Sequence, residues 1–386
     1  MSTRGQVILD ALLVRARPTG VGRSILELCA ALAAEDRGFD VTVLASEPGM
    51  FGAVEGAPGW RIESCPGARG GTLAKAWYTQ RVLPGLVRRL DGGLLHSLQF
   101  VAPLRLDVPS VVTVHDLAWQ LFPATVEEPR RTYYRLLVGP TLRRAAAIVT
   151  NSEATAADVR RLHPACAERV EVTPFGLAQW AVEAAARTGP TPAPGRAGRP
   201  SFLFVGTLEP RKNLEGVLKA YRRFLAESGR PPADCPSLLF VGASGWKDSG
   251  LRAAMQDLMA EGHLEVRDYC EPGGLWDLYR SAHGLLFPSL HEGFGFPILE
   301  AMAAGVPVMT SDRGAMAEVA GDAALLVDPA SEASMAAGMA RLAWDAPLRA
   351  DCVLRGHERA RQWSWRRTAE ATAAVYRRIL GQVGGK

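Results

Sequence analysis

The chain has 386 residues, 48% of them hydrophobic and 22% charged, which is length and apolar material enough for two folded domains and argues against a disordered protein. Its 44 Lys and Arg against 40 Asp and Glu leave a formal charge of only +4, spread along the chain, so no concentrated basic face marks a nucleic-acid binder. Six scattered cysteines, Cys29, Cys65, Cys166, Cys235, Cys270 and Cys352, form no C-x-x-C pair, which removes the usual zinc and redox patterns and fits a reducing compartment.

In chain order, the start from Met1 to Gly5 leads into a strand rather than a charged and then apolar leader. No apolar run reaches the roughly 18 residues that span a bilayer, so a cytoplasmic protein with at most peripheral membrane contact is expected. Short runs of Val, Ile and Leu then alternate with helical patterns, the order of parallel sheets covered by helices. Strands are expected at Val7 to Leu13, Val41 to Ala45, Leu94 to Ser97, Ser110 to His115 and Ala147 to Asn151, with a helix from Gly22 to Ala34. Thr188 to Pro200, reading TGPTPAPGRAGRP, has no apolar period and reads as a linker.

The alternation restarts with strands at Ser201 to Val205, Ser237 to Val241, Leu264 to Tyr269, Leu285 to Pro288, Val306 to Thr310 and Ala324 to Val327. Helices are expected at Leu214 to Ser228, at Leu251 to Glu261 and from Pro297. The fold class is therefore α/β, with two Rossmann-like doubly wound domains: residues 1–187, a linker at 188–200, and residues 201–360. The amphipathic end of the chain, 361–386, is expected to pack back on the first domain.

The most informative stretch is Pro288 to Gly305, PSLHEGFGFPILEAMAAG, which closes a strand with a loop and opens a helix near Pro297. Gly293, Phe294 and Gly295 lie at the helix N-terminus, where free N–H groups and closely approaching backbone suit a phosphate. Glu292 and Glu300, with seven residues between them, flank that loop. A lone first-turn Glu ordinarily complements the helix dipole, but two of them around a glycine loop suit the hydroxyl pairs of one ligand, since a carboxylate only accepts hydrogen bonds.

A second constellation, Gly206 to Asn213 (GTLEPRKN), puts Arg211 and Lys212 after the first strand of the same domain, on the ligand-binding edge of such sheets. Arg can fork onto a phosphate and Lys can act as a point charge. In the first half, Gly20 and Gly22 lie between the first strand and a helix. Position 25 is Ile25 and no acidic ribose ligand follows, so the NAD fingerprint is not met and a loop for close backbone approach fits better. His115 and Asp116 end another strand and make a site candidate. No D-x-D or H-x-x-x-H pattern occurs, so no metal and no cofactor are expected, and leaving-group charge falls to Arg211, Lys212 and the helix terminus.

Through GTLEPRKNL, FVGASGWKDSG, PSLHEGFGFPILEAMAAGVPVMTSD, EVAGDAALLVDP and WSW, and more loosely through TGVGRS, VTVHDL and VTNSEATAADV, the chain resembles the family 4 glycosyltransferases. That resemblance implies the GT-B fold, two domains facing across a cleft, with an acceptor-binding first domain and a nucleotide-sugar donor domain second. It also implies retaining transfer without metal. Glu292 and Glu300 look like the family's E-x7-E pair, touching the transferred sugar and the ribose. Arg211 and Lys212 would hold the diphosphate, supported by the backbone of Gly293 to Gly295, with Gly206 at the strand end. Gly20 and Gly22 would approach the diphosphate from the other domain, and His115 would sit beside the sugar.

Thr207 departs from the Arg that many members carry, and His291 from an aromatic residue. The variants look most like bacterial polysaccharide and O-antigen mannosyltransferases, which implies GDP-mannose as donor and a glycan or lipid-linked saccharide as acceptor. A UDP- or dTDP-sugar enzyme, a non-hydrolysing sugar-nucleotide epimerase and an inactive nucleotide-sugar-binding subunit are the rival readings. The basic, aromatic stretch from Lys75 to Arg89 suits either an anionic membrane surface or an ordinary solvated helix. Oligomeric state is not legible.

Overall fold

A computed structural model describes residues 5–384, apart from positions 19, 36 and 69 and the segments 190–198 and 243–248. Most of the expected linker, and the core of the FVGASGWKDSG stretch, lie outside the described residues. Two units divide the chain, one of Met1–Gly176 with Ser364–Lys386 and the other of Leu177–Trp363.

In the first unit, strands β1 (Gly5–Asp10), β2 (Phe39–Ala45), β3 (Trp60–Ser64), β4 (Leu94–Ser97), β5 (Ser110–Val114), β6 (Ala147–Thr150) and β7 (Val170–Val172) form one parallel sheet in the order β3-β2-β1-β4-β5-β6-β7. Val7, Ile8 and Leu9 are fully buried in succession, as a strand covered on both faces requires. Strand β1 stops at Asp10 rather than running to Leu13. The Ala11 N–H turns to the carbonyls of Leu9 and Leu44, and the Leu12 N–H is taken by Asp10 Oδ1 at 3.3 Å.

Strands β3 and β7 escaped the sequence reading because both are short edge strands, and β3 alternates charge with apolar side chains that are only half-buried. The helix Arg130–Arg144 escaped it too, since Arg and Tyr surround it and Pro140 sits inside, leaving no apolar stripe. The last helix, Trp365–Gly384, packs on Gly20–Ala33. Its Tyr376 is fully buried, hydrogen-bonded to His96 Nδ1 and edge-on to Phe39 at 5.6 Å.

In the second unit, strands β8 (Ser201–Val205), β9 (Ser237–Val241), β10 (Leu264–Arg267), β11 (Gly284–Phe287), β12 (Val308–Ser311) and β13 (Leu325–Val327) form a parallel sheet in the order β10-β9-β8-β11-β12-β13. The chain enters this unit ahead of the Pro/Gly-rich segment, because the helix Gln179–Thr188 packs on Pro272–Ser281 and Phe296–Ala303. Trp180 meets Trp276 edge-on at 6.2 Å, and the Trp276 indole donates to Thr188 Oγ1 at 3.3 Å.

Each sheet reverses its strand order once near the middle, between β1 and β4 and between β8 and β11. In open α/β sheets the crevice for ligands opens at that switch point, beyond the carboxyl ends of the strands.

Candidate active site

The loops leaving β8 and β11 are neighbours because their strands pair, Leu203 opposite Leu285. After β8 the chain turns on Gly206, at φ +146°, a conformation open to glycine and strained for other residues. A side chain on Gly242, at the end of β9, would place Cβ 2.1 Å from the Gly206 carbonyl oxygen, so two strand ends meet backbone to backbone. A short turn, Pro210–Lys212, follows, and left-handed Asn213 opens the helix Leu214–Glu227. The Asn213 amide donates to the carbonyls of Pro288 at 3.1 Å and Pro329 at 2.7 Å, and the Leu290 N–H donates to the Arg211 carbonyl at 2.9 Å. These bonds stitch the two loops into one platform.

On that platform Arg211, Lys212 and Glu292 converge. Arg211 Nη1 lies 2.5 Å from Glu292 Oε2, and Lys212 Nζ lies 2.5 Å from Oε1. Arg211 also donates to the His291 carbonyl at 2.9 Å and stands 3.6 Å from Glu209. Lys212 sits over the Phe287 ring at 4.8 Å, a favourable cation–π distance. Glu292 is 9% exposed. Burial alone would raise its pKa, but the charges and hydrogen bonds of Arg211 and Lys212 win and hold it at about 2. The carboxylate is therefore ionised throughout the physiological range, an acceptor of hydrogen bonds and not a proton donor.

The glycine loop ends on Gly295, at φ +139°, which caps the helix Phe296–Ala303. Glu300 is accordingly the fifth residue of that helix, one step beyond the first turn in which the sequence reading placed it. It is 4% exposed and accepts a hydrogen bond from the Tyr279 hydroxyl at 2.7 Å. Phe294 is buried, with its ring 5.1 Å from Phe296 and 5.3 Å from Trp363, so its side chain anchors the loop and leaves only backbone to face a ligand.

The remaining candidates belong to the first unit. Gly20 and Gly22 open the helix Gly20–Ala33; Gly22 is buried, and a Cβ there would come 2.9 Å from the Pro18 Cβ. His115 follows β5, buried between Phe100 and Phe175. Burial pushes its pKa down against the raising effects of its bond to Leu98 and of Asp116. The ring is neutral, and with Nε2 donating to the Leu98 carbonyl at 3.0 Å its Nδ1 carries a lone pair that no group among the described residues takes. Asp116 does not clamp the imidazole: its Oδ1 accepts the Ala118 N–H at 2.9 Å.

Asp10 escaped the sequence reading, which placed it inside a strand. It ends β1 at the switch point, 1% exposed, and accepts from the Gln99 amide at 3.1 Å. Burial lifts its carboxyl to about 6 against the lowering effects of Gln99 and Leu12. The one signal was an acid interrupting the apolar run VILDALLV.

Two doubly wound units, with buried charged residues at a switch point, define a nucleotide-type α/β enzyme architecture. Residues 193–359 match the family described as Glycosyl transferases group 1, and residues 18–178 match Glycosyltransferase Family 4. The chain is 31% identical over 287 residues to O-antigen chain mannosyltransferase B of Escherichia coli, covering 74% of each protein. It is 28% identical over 402 residues to D-inositol 3-phosphate glycosyltransferase of Salinispora arenicola, covering 95% of this chain and 88% of that one. The crystal structure of Anabaena HepE in complex with UDP and glucose superposes with a TM-score of 0.68 at 17% identity, covering 97% of this chain and 99% of that one. The chain belongs to the family 4 glycosyltransferases, with the GT-B fold. It is a glycosyltransferase. Among the described residues no helix is long and apolar enough to cross a membrane.

Proposed function

We propose that the protein transfers a hexose with retention of configuration, and without a metal ion, from a nucleotide-diphosphate sugar to a glycan or lipid-linked saccharide in surface polysaccharide synthesis, with GDP-mannose as the donor. The observation that carries this reading is the cluster of half-buried Arg211 and Lys212 on buried Glu292 at the switch point of the second sheet. Two cations share one carboxylate there, and each charge-assisted bond to a phosphate oxygen contributes roughly 1.5–3 kcal/mol. As the bond from the anomeric carbon to the leaving phosphate lengthens, negative charge grows on the diphosphate. Arg211 and Lys212 meet it where it forms, the role a metal ion would otherwise fill.

Ionised Glu292 accepts hydrogen bonds from sugar hydroxyls, and Glu300, fixed by Tyr279, accepts them from the ribose. Neutral His115 presents Nδ1 as an acceptor for a hydroxyl, and Gly20 opens the helix Gly20–Ala33 without a side chain. The departing phosphate oxygen takes the acceptor's proton as the acceptor attacks the same face, so no protein nucleophile takes part.

Similarity to an O-antigen chain mannosyltransferase supports mannose and a polysaccharide product. The likeness to a structure with UDP and glucose bound favours a second reading, a UDP-sugar donor. A thermal-shift panel of GDP-mannose, GDP-fucose, UDP-glucose, UDP-GlcNAc and dTDP-rhamnose decides between them. A donor at about 100 times its dissociation constant adds roughly 2.7 kcal/mol, which moves the midpoint by several degrees. GDP-mannose alone shifting the midpoint is the expected result; a shift by a UDP sugar alone overturns the mannose assignment, and no shift by any donor sinks the catalytic reading.

A further inference from the structure

A pocket of about 330 Å3 opens at the carboxyl edge of the first unit's sheet, beside the switch point between β1 and β4. That volume sits at the low end of the roughly 300–1,000 Å3 of small-molecule sites. Gln99 lines it after β4; Lys75 and Tyr78 come from one side, and Arg130, Tyr133 and Tyr134 from the helix Arg130–Arg144. Such aromatic walls suit the apolar faces of a sugar ring, and Gln99, held by its bond to Asp10, supplies a fixed amide for its hydroxyls.

The charge of the pocket is the second observation. Lys75 is half-buried, and among the described residues no carboxylate forms an ion pair with it. Burial first, then the charges of Arg15 and Arg130, hold its pKa below the usual lysine value, so two further cations act on Lys75, of which Arg130 also lines the pocket. Arg15 is tied to the Leu12 carbonyl at 2.8 Å, and Arg130 lies 5.5 Å from the Tyr134 ring centre while donating to its hydroxyl at 3.1 Å. A neutral saccharide leaves that repulsion in place. A phosphate, with a charge near −2 and three acceptor oxygens, relieves it.

We propose that this pocket is the acceptor site and that it selects a saccharide carrying a phosphate ester, the ring lying on Tyr133 and Tyr134 and the phosphate meeting Lys75 and Arg130. The proposal rests on the glycosyl-transfer reading above and names the acceptor class. Leu73 and Trp77, 74% and 63% exposed, stand on the same short helix, Thr72–Trp77, as Lys75, so the phosphate can belong either to a free sugar phosphate or to a lipid-borne one.

Isothermal titration of the full chain with mannose 1-phosphate, methyl α-mannoside and inorganic phosphate tests it. Mannose 1-phosphate is expected to bind at least tenfold more tightly than either of the others. Lys75→Gln and Arg130→Gln, at half-buried and exposed positions that tolerate the change, should each abolish the preference, while Arg211→Ala keeps it. Equal binding of the two sugars overturns the proposal, as does equal binding of inorganic phosphate. So does a preference that disappears with Arg211→Ala and survives Lys75→Gln, because the sugar phosphate is then in the second unit. Titrating the same variants with GDP-mannose separates the two readings: loss in Arg211→Ala alone supports the donor assignment whatever the sugar phosphate does. A decyl ester of mannose 1-phosphate that binds more tightly, with the gain lost in Trp77→Ser, names the lipid-borne source. Equal binding of the ester names the free one, and either result supports the site.

Discussion

Lys212 Nζ lies 2.5 Å from Oε1 of Glu292, joining a side chain delivered after β8 to one delivered after β11. With Arg211 on the other carboxylate oxygen, the pair places opposite charges in a largely water-excluded spot, where removing one partner costs more than the pair contributes.

Replacing Glu292 by Gln leaves both cations without that counter-charge and is expected to destabilise the second unit by about 3–5 kcal/mol at neutral pH. The folded value of about 2 lies below the ordinary 4.5. The carboxylate's contribution is therefore complete above 4.5 and is lost as the pH falls through that value towards 2. Urea denaturation at stepwise lower pH should show the gap between wild type and Glu292→Gln closing across that window; a gap that stays constant means the ion pair is not what the substitution removed.

His96 gives the first unit an acid sensitivity of its own. Burial, with a smaller effect from His115, pushes it from 6.5 down to about 3, so the imidazole is neutral in the fold. Its stabilising effect is present above 6.5 and is lost as the pH falls from there towards 3, by at most about 1.4 kcal/mol per pH unit. His96→Gln should flatten the stability profile between those values, at a fixed cost from the altered bonds to Tyr376 and Thr113. An unchanged slope assigns the acid sensitivity to other groups.

Gly206 and Gly242 separate strain from collision. Both have φ near +150°, but a Cβ on Gly206 would have side-chain atoms as its nearest neighbours, Lys212 Cε first at 3.5 Å, whereas one on Gly242 falls 2.1 Å from a backbone oxygen. Gly206→Ala should cost about 1–3 kcal/mol of strain, and Gly242→Ala clearly more, since two strand ends must part. Equal urea midpoints for the two variants would refute the close-approach account.

Tyr279→Phe removes one hydrogen bond to Glu300 and nothing that touches the reacting bond. If Glu300 holds the ribose, the donor KM should rise about 10- to 100-fold, the span of roughly 1.5–3 kcal/mol for a bond to a charged group, while kcat holds. A fall in kcat with KM unchanged would place Glu300 at the chemistry instead.

Much of this was legible from residue patterns. Buried parallel strands such as β5 and β11 read as apolar runs because both faces are covered, and the loops after β8 and β11 carry their chemistry in contiguous motifs. The ion triad was not legible, since 79 residues separate Lys212 from Glu292 and only the pairing of β8 with β11 brings them together. The first-unit pocket draws on Lys75, Gln99 and Arg130, single residues in three segments without a shared motif. Its helix Arg130–Arg144 has the all-round polarity that hides a helix from periodicity. The expected strand overruns Asp10 to Leu13 because the Leu12 N–H donates to the Asp10 carboxylate just past the end of β1, where no Gly or Pro marks the turn in the sequence.

The most direct test of the central claim, that Arg211 and Lys212 hold the donor diphosphate, is calorimetric titration of the nucleotide sugar with EDTA present, comparing wild type with Arg211→Ala and Lys212→Ala. Each variant is predicted to lose at least tenfold in affinity, about 1.4 kcal/mol, for the nucleotide sugar and nothing for the bare nucleoside. Unchanged affinity in both variants, or binding by the wild type that vanishes with EDTA, would contradict the account.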